Sequence, residues 1–310
     1  MRAARMLERN GTPVLQDVPE FGVPEGTCRI EVLAAGLQNG DLMRAQGRYK
    51  VPEVPYTIGG EGVGRLPDGR RVYFGHSIPE SGAVCEFTIV PEEEVWPIPD
   101  EIDDSTAIAL AIAGTGALVP LELARIQPGE NVLILGASGP LGQIALQLSR
   151  AMGAGRVVGA ARGLAALERL KQRGIADDIV QLGQGDDAAA LKHASGNGFD
   201  VVLDCLYGPP AEAALRATAL GARMMSIGIQ AGETMTVSLK DLFQRTHFGV
   251  GTSHRSVDER RAAYERLLDF ARSIPLTVES TVFDLEDVGG AWAALEAGGV
   301  AGKIIVRVKK

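Results

Sequence analysis

The stretch Asn131-Val-Leu-Ile-Leu-Gly136-Ala-Ser138-Gly139-Pro140-Leu141-Gly142-Gln-Ile-Ala-Leu-Gln-Leu-Ser-Arg-Ala-Met152 decides how this chain is read. Val132 to Leu135 form the short apolar run of a buried strand. Three glycines follow, and then Leu141, Ile144, Ala145, Leu148, Ala151 and Met152 recur at helical spacing. Strand, glycine turn and amphipathic helix in succession predict a dinucleotide-binding turn. One glycine permits the turn, one lets the backbone approach a pyrophosphate, and one lets helix and strand pack closely. The free N–H groups of the helix N-terminus suit the phosphates. Gly136, Ser138, Gly139, Pro140, Leu141 and Gly142 are the expected cradle. The spacing is G-x-x-G-x-x-G, not the G-x-G-x-x-G fingerprint, so a plain tight turn is the competing reading.

Outward from this unit the chain alternates strand and helix. Strands are expected at Arg156–Ala161, Asp178–Leu182, Asp200–Leu206, Ala222–Ile227 and Phe248–Gly251. Helices are expected at Leu164–Arg173, Asp187–Ala194 and Pro210–Leu220. This is the grammar of a doubly wound parallel sheet. The first hundred residues differ. Short strands are expected at Arg2–Leu7, Val14–Val18, Cys28–Ala35, Glu61–Leu66, Arg71–Phe74 and Val84–Val90, with a turn at Pro67-Asp-Gly69. Many short strands with little helix predict a small, barrel-like β domain. Past Asp258 come a charged amphipathic helix, a strand near Leu276–Phe283, a helix at Leu285–Gly298 and a strand at Lys303–Val308.

Composition narrows the class. The chain has 310 residues, 45% hydrophobic and 23% charged, as ordinary globular proteins do. A net charge of −8 argues against a general binder of nucleic acid or anionic membranes, yet leaves room for a local positive pocket. Cys28, Cys85 and Cys205 are distant and odd in number, without metal-ligand spacing, so reduced buried thiols are expected. No apolar leader opens the chain, and the longest uncharged run, Ser105–Leu121, is broken by Gly114, Gly116 and Pro120. A core helix and a cytoplasmic protein are the expectation.

In a dinucleotide fold, an acidic residue at the end of the second strand bonds the ribose 2′-hydroxyl. That place reads Val157-Val-Gly-Ala-Ala161-Arg162-Gly163. A carboxylate would repel a 2′-phosphate, whereas the Arg162 guanidinium can bond it bidentately, which favours NADP(H). The other reading is a solvated surface arginine.

With these residues in hand, the chain resembles the medium-chain dehydrogenase/reductase superfamily, in its zinc-free quinone oxidoreductase and enoyl reductase branch. The resemblance rests on four ordered segments: Ala35-Gly-Leu-Gln38-Asn39-Gly-Asp41, Gly59-Gly60-Glu61-Gly62-Val-Gly64, the run from Ile126 into Gly142, and Gly302-Lys303-Ile-Ile-Val. It implies a GroES-like, partly open β-barrel domain at 1–118, a Rossmann domain at 119–254 and a segment at 255–310 that rejoins the first domain. It also implies Leu206 and Gly228 beside the cofactor, and a homodimer paired through the strand near Phe248–Ser253. Where zinc-dependent relatives place a cysteine ligand this chain has Gln38, and where they place a histidine it has Gly60. Catalytic zinc needs three protein ligands, so no metal is expected.

Without a Lewis acid, the expected acceptor carries its own electron sink: a quinone or an α,β-unsaturated carbonyl or enoyl thioester. The resemblance puts Tyr49 where related enoyl thioester reductases have a proposed donor, and Gln38 where quinone reductases carry an asparagine. For Tyr49 a rim aromatic is the equal alternative. Asp41 reads as a loop-structuring carboxylate, and His76, His193, His247 and His254 as scattered. Gly116 and Tyr207 depart from the family pattern, and Gly75–Gly82 is short. A carbonyl reductase on a specialised biosynthetic substrate, or a silent NADPH-binding protein, are the competing functions. Small-molecule substrate, no nucleic acid and no membrane complete the expectation.

Overall fold

The computed structural model describes residues 1–310 except Val51, His76, Ile78–Glu80, Pro275, Gly299 and Lys310, and the side chain of Ser253. His76 and part of the Gly75–Gly82 segment therefore lie outside the described residues. The chain divides into two compact units, Met1–Ala109 with Glu279–Lys310, and Leu110–Val278.

The second unit holds a six-stranded sheet, parallel throughout. From edge to edge it runs Asp178–Gln181, Arg156–Ala161, Asn131–Leu135, Phe199–Asp204, Thr218–Ser226 and Thr246–Gly249. Numbered along the chain this is 3-2-1-4-5-6, the doubly wound dinucleotide order, with its switch point between Asn131–Leu135 and Phe199–Asp204. Both central strands are apolar because helices cover both faces; Val132 to Leu135 and Val201 to Leu203 are all 0% exposed.

The first unit is antiparallel apart from one parallel pair. Its larger sheet runs Ser280–Asp284, Lys303–Arg307, Thr27–Leu37, Glu61–Arg65, Arg71–Gly75 and Val95–Pro97, and Phe87–Pro91 pairs with the first half of Thr27–Leu37. A small sheet sets Arg2–Met6 between Val14–Asp17 and Tyr56–Thr57. Met6, Ile30, Phe74, Trp292 and Val306 meet in one core. This is the GroES-like partner of the Rossmann unit.

Several elements differ from the sequence-based expectation. A short helix, Asn39–Ala45, interrupts the β-rich region; with Gln38 before it and only seven residues, it carries no strong start signal. The helix expected to reach Leu220 ends at Arg216, since β-branched Thr218 pairs with Phe199 and starts the next strand. The strand expected from Val84 begins at Phe87, the one near Leu276 begins at Ser280, and the edge strand lies at Thr246–Gly249, ahead of a 3₁₀ turn at Thr252–His254.

The units divide at Ala109/Leu110 and Val278/Glu279, beside the 1–118, 119–254 and 255–310 expected. The helix Val257–Ser273 stays with the second unit because it buries Tyr264 and Leu267 there, and Arg266 bonds Glu122 through both its Nε and Nη2. The uncharged run is indeed helical, over Asp104–Ala124, with a π turn at Leu110–Gly114. It is long and apolar enough to cross a membrane, yet 83% of its most apolar 18-residue stretch is buried within the protein.

Candidate functional site

In the second unit, the strand Asn131–Leu135 delivers the chain to Gly136, whose φ of +83° only glycine adopts without strain. The turn is pinned to the neighbouring strand, with Gly136 and Ala137 N–H both donating to Ala160 O. Gly139 caps the helix Pro140–Ala151, and Pro140 occupies the first helical position, where its missing N–H costs nothing. A side chain on Gly142 would collide with Gly136 O and lie 2.6 Å from Ala137 Cα, so the helix can start this close to the strand only with glycine there. The buried Gln143 donates from Nε2 to Ser138 O at 2.9 Å and fixes the loop from below. The first N–H groups of this helix have no partner within it, as at any helix N-terminus, where negative charge is favoured.

Across the switch point, Gly136 approaches Cys205 and Leu206, and a side chain on Gly228 would collide with Cys205 O. The loops after three strands thus pack on one another at the carboxyl end of the sheet. Asp204 ties them down. Its Oδ1 accepts from Leu206 and Tyr207 N–H at 2.8 and 2.9 Å, and its Oδ2 accepts from Ser226 Oγ at 2.7 Å. Since Ser226 donates to Asp204, it accepts from His247 Nε2 at 2.9 Å. Burial pushes the Asp204 carboxyl up, against the pull of these donors. Tyr207, at φ +58°, stacks its ring on His247. This Asp204–Ser226–His247 chain was not found in the sequence, where the three residues stand 22 and 21 positions apart.

Arg162 is exposed at the end of Arg156–Ala161, its guanidinium without a partner among the described residues, and Gly163 beside it opens the next helix onto free space. Gly116 makes room for Leu141, which a side chain there would approach to 2.9 Å. His254 is exposed and folds over Gly251.

The first unit holds the other expected residues. Gln38, partly exposed, caps the helix Asn39–Ala45, and its N–H donates to Asp41 Oδ2 at 3.0 Å. Asp41, 3% exposed, also takes Arg44 Nη1 at 3.3 Å, which is the structuring role expected of it. Burial pushes its carboxyl up; Arg44 and the Gln38 N–H pull the other way. Tyr49 is half-buried, with the Lys50 ammonium 5.4 Å from its ring centroid. Neither Gln38 nor Gly60 offers the thiolate or imidazole a catalytic zinc takes, and the space a Gly60 side chain would fill holds the Arg44 guanidinium. Behind them, Glu61 accepts from Lys303 Nζ and from Tyr73 Oη, all fully buried.

Known proteins are similar to this chain in sequence and fold. A family model described as zinc-binding dehydrogenase matches residues 140–273, inside the second unit. A Mycobacterium marinum phenolphthiocerol synthesis polyketide synthase is 31% identical over 229 residues, 69% of this chain; the chain spans only about a tenth of that protein's length. The quinone oxidoreductase of Rattus norvegicus is 28% identical over 244 residues, covering 74% of this chain and 73% of its own. The quinone oxidoreductase of Thermus thermophilus, solved alone and with NADPH, superposes with a TM-score of 0.84 at 29% identity, over 99% of this chain and 100% of its own.

Proposed function

The chain belongs to the medium-chain dehydrogenase/reductase superfamily, in its quinone oxidoreductase branch, and from that premise we propose a zinc-independent reductase. It transfers hydride from NADPH to a conjugated acceptor, a quinone or an α,β-unsaturated carbonyl or enoyl thioester. The observation that carries this reading is the glycine cradle at Gly136–Gly142 combined with an unpaired Arg162, and no carboxylate, at the end of the second strand. Those residues fit a dinucleotide bearing a 2′-phosphate.

A nicotinamide held here would supply the hydride. Backbone N–H groups of Ser138, Leu141 and Gly142 hold the pyrophosphate at the helix N-terminus. Arg162 holds the 2′-phosphate through paired N–H donors. Leu206, held by its N–H to the Asp204 carboxylate, and Gly228, packed against the Cys205 carbonyl too closely for a side chain, would line the nicotinamide end. Gln38 donates a hydrogen bond to the acceptor's oxygen, and Tyr49 delivers the proton that completes the reduction. One hydride and one proton are consumed per acceptor reduced. The reading carries with it a cytoplasmic homodimer in which the edge strand Thr246–Gly249, with Phe248 54% exposed, pairs with its copy.

The test is NADPH oxidation, followed by absorbance, over quinones, enones, enoyl thioesters and ketones. Turnover on the first three classes is expected. Turnover on ketones alone favours a carbonyl reductase, and tight NADPH binding with silence across the panel favours a non-enzyme.

A further inference from the structure

Hydride addition to a conjugated acceptor leaves negative charge on an oxygen, and Gln38 and Tyr49 offer only neutral donors to it. The first unit contains a charged group on the Gln38 helix with few partners of its own. Arg44 lies in the last turn of the helix that Gln38 caps, with 22% of its side chain exposed. Among the described residues it makes one hydrogen bond, to Asp41 Oδ1, and at 3.3 Å that bond is long. A guanidinium has five N–H donors, and leaving several unmet in a partly buried place is costly unless something else completes them.

Two further observations point the same way. A methyl group on Gly60 would lie 2.9 Å from Arg44 Nη1 and 3.5 Å from Nη2. Gly60 is outside the left-handed region, so its backbone does not require glycine, and the space beside it is taken by the guanidinium. The Tyr56 hydroxyl, on a residue only 6% exposed, is buried with no hydrogen-bond partner among the described residues. Burial pushes its pKa up to about 12, and the charges of Asp41 and Arg44 both bear on it. A half-buried guanidinium with spare donors is a polar group that an incoming oxygen would complete.

We infer that Arg44, tethered by Asp41, is a catalytic residue that binds the acceptor's carbonyl oxygen and holds the charge that develops there. The inference rests on the function proposed above and adds a charged donor for the oxygen those acceptors share. As hydride bonds to the β-carbon of an enone, the C=C pair shifts toward the carbonyl and the oxygen becomes an enolate. In a quinone, hydride delivered to one carbonyl oxygen pushes the ring electrons to the other oxygen, giving the hydroquinone monoanion. The fixed cation stabilises that oxyanion until a proton arrives from Tyr49 or water. Lysine would supply charge without the two-pronged geometry.

The test compares the wild-type chain with Arg44→Met and Arg44→Lys. Arg44→Met should lose about 100-fold or more in kcat on the best acceptor, with NADPH affinity unchanged. Arg44→Lys should fall between, and added guanidinium chloride at millimolar concentration should restore part of the Arg44→Met activity, which a structural role would not allow. Retention of kcat and kcat/KM by Arg44→Met, or loss of NADPH affinity in step with activity, would overturn the inference. A second readout needs no turnover. Bound 4-nitrophenol should ionise at lower pH on the NADPH-loaded wild type than on Arg44→Met. If the wild type reduces no acceptor, the proposed function fails, and an unchanged 4-nitrophenol titration would then remove Arg44 as well.

Discussion

Lys303 Nζ lies 2.5 Å from Glu61 Oε1, and neither side chain is more than 2% exposed. The two residues belong to strands on either side of Thr27–Leu37, and the ion pair reaches across Gly36, where an added side chain would stand 2.8 Å from Lys303 Cε. Tyr73 Oη donates to the second Glu61 oxygen at 3.0 Å. A buried pair of this kind gives little net stability but punishes removal of one partner.

Lys303→Met should therefore cost about 3–5 kcal/mol, because it leaves the Glu61 carboxylate buried with only Tyr73. The double variant Glu61→Gln/Lys303→Met should recover most of the loss. Urea unfolding followed by tryptophan fluorescence checks this, since Trp96 and Trp292 both lie in the first unit. A double variant as unstable as the single one would contradict it.

Gly142→Ala should weaken NADPH binding by about tenfold or more, a change of at least about 1.4 kcal/mol. Its methyl group would overlap Gly136 O and force the helix N-terminus away from the strand. Fluorescence titration reads the affinity, and circular dichroism confirms that the sheet persists.

The glycine turn was legible in the sequence because its constraints are local: a strand, a φ that needs glycine, and a helix start all fall within one short stretch. The strand order followed from the same alternation. Arg44 against Gly60 and Lys303 against Glu61 were not legible, since nothing near either residue signals its partner; the second pair is 242 positions apart. Thr218 was hidden for a different reason. An alanine-rich run with leucines at helical spacing continues through it, and only pairing with Phe199 ends the helix early.

Ser226→Ala should destabilise the chain by about 1–3 kcal/mol at neutral pH, as a buried carboxylate loses a donor. The folded pKa of Asp204 is already raised, so its ionised form is disfavoured by folding, and losing the Ser226 bond raises it further. The deficit should shrink as pH falls and Asp204 protonates. Thermal unfolding of both proteins at several pH values measures this, and a deficit that grows toward acid would refute it.

Glu86 acts with the opposite sign. The Arg2 N–H and guanidinium bond its two oxygens at 2.8 and 2.9 Å and hold its carboxyl below the ordinary 4.5. Its stabilisation is present above that value and is lost as pH falls through the lower folded value. Glu86→Gln should flatten the acid limb of the stability curve, by less than about 1 kcal/mol for so exposed a pair. An unchanged acid limb would exclude this contribution.

The central claim is an NADPH-dependent reductase whose cofactor choice rests on Arg162, and its most direct test is turnover with NADPH and NADH on one quinone, using protein pretreated with a metal chelator. The account predicts oxidation of NADPH well ahead of NADH, with Arg162→Ala lowering kcat/KM for NADPH by about 10- to 100-fold, the value of a guanidinium–phosphate contact, while sparing NADH. Equal use of both nucleotides, an equal loss of both in Arg162→Ala, or activity abolished by the chelator would contradict it.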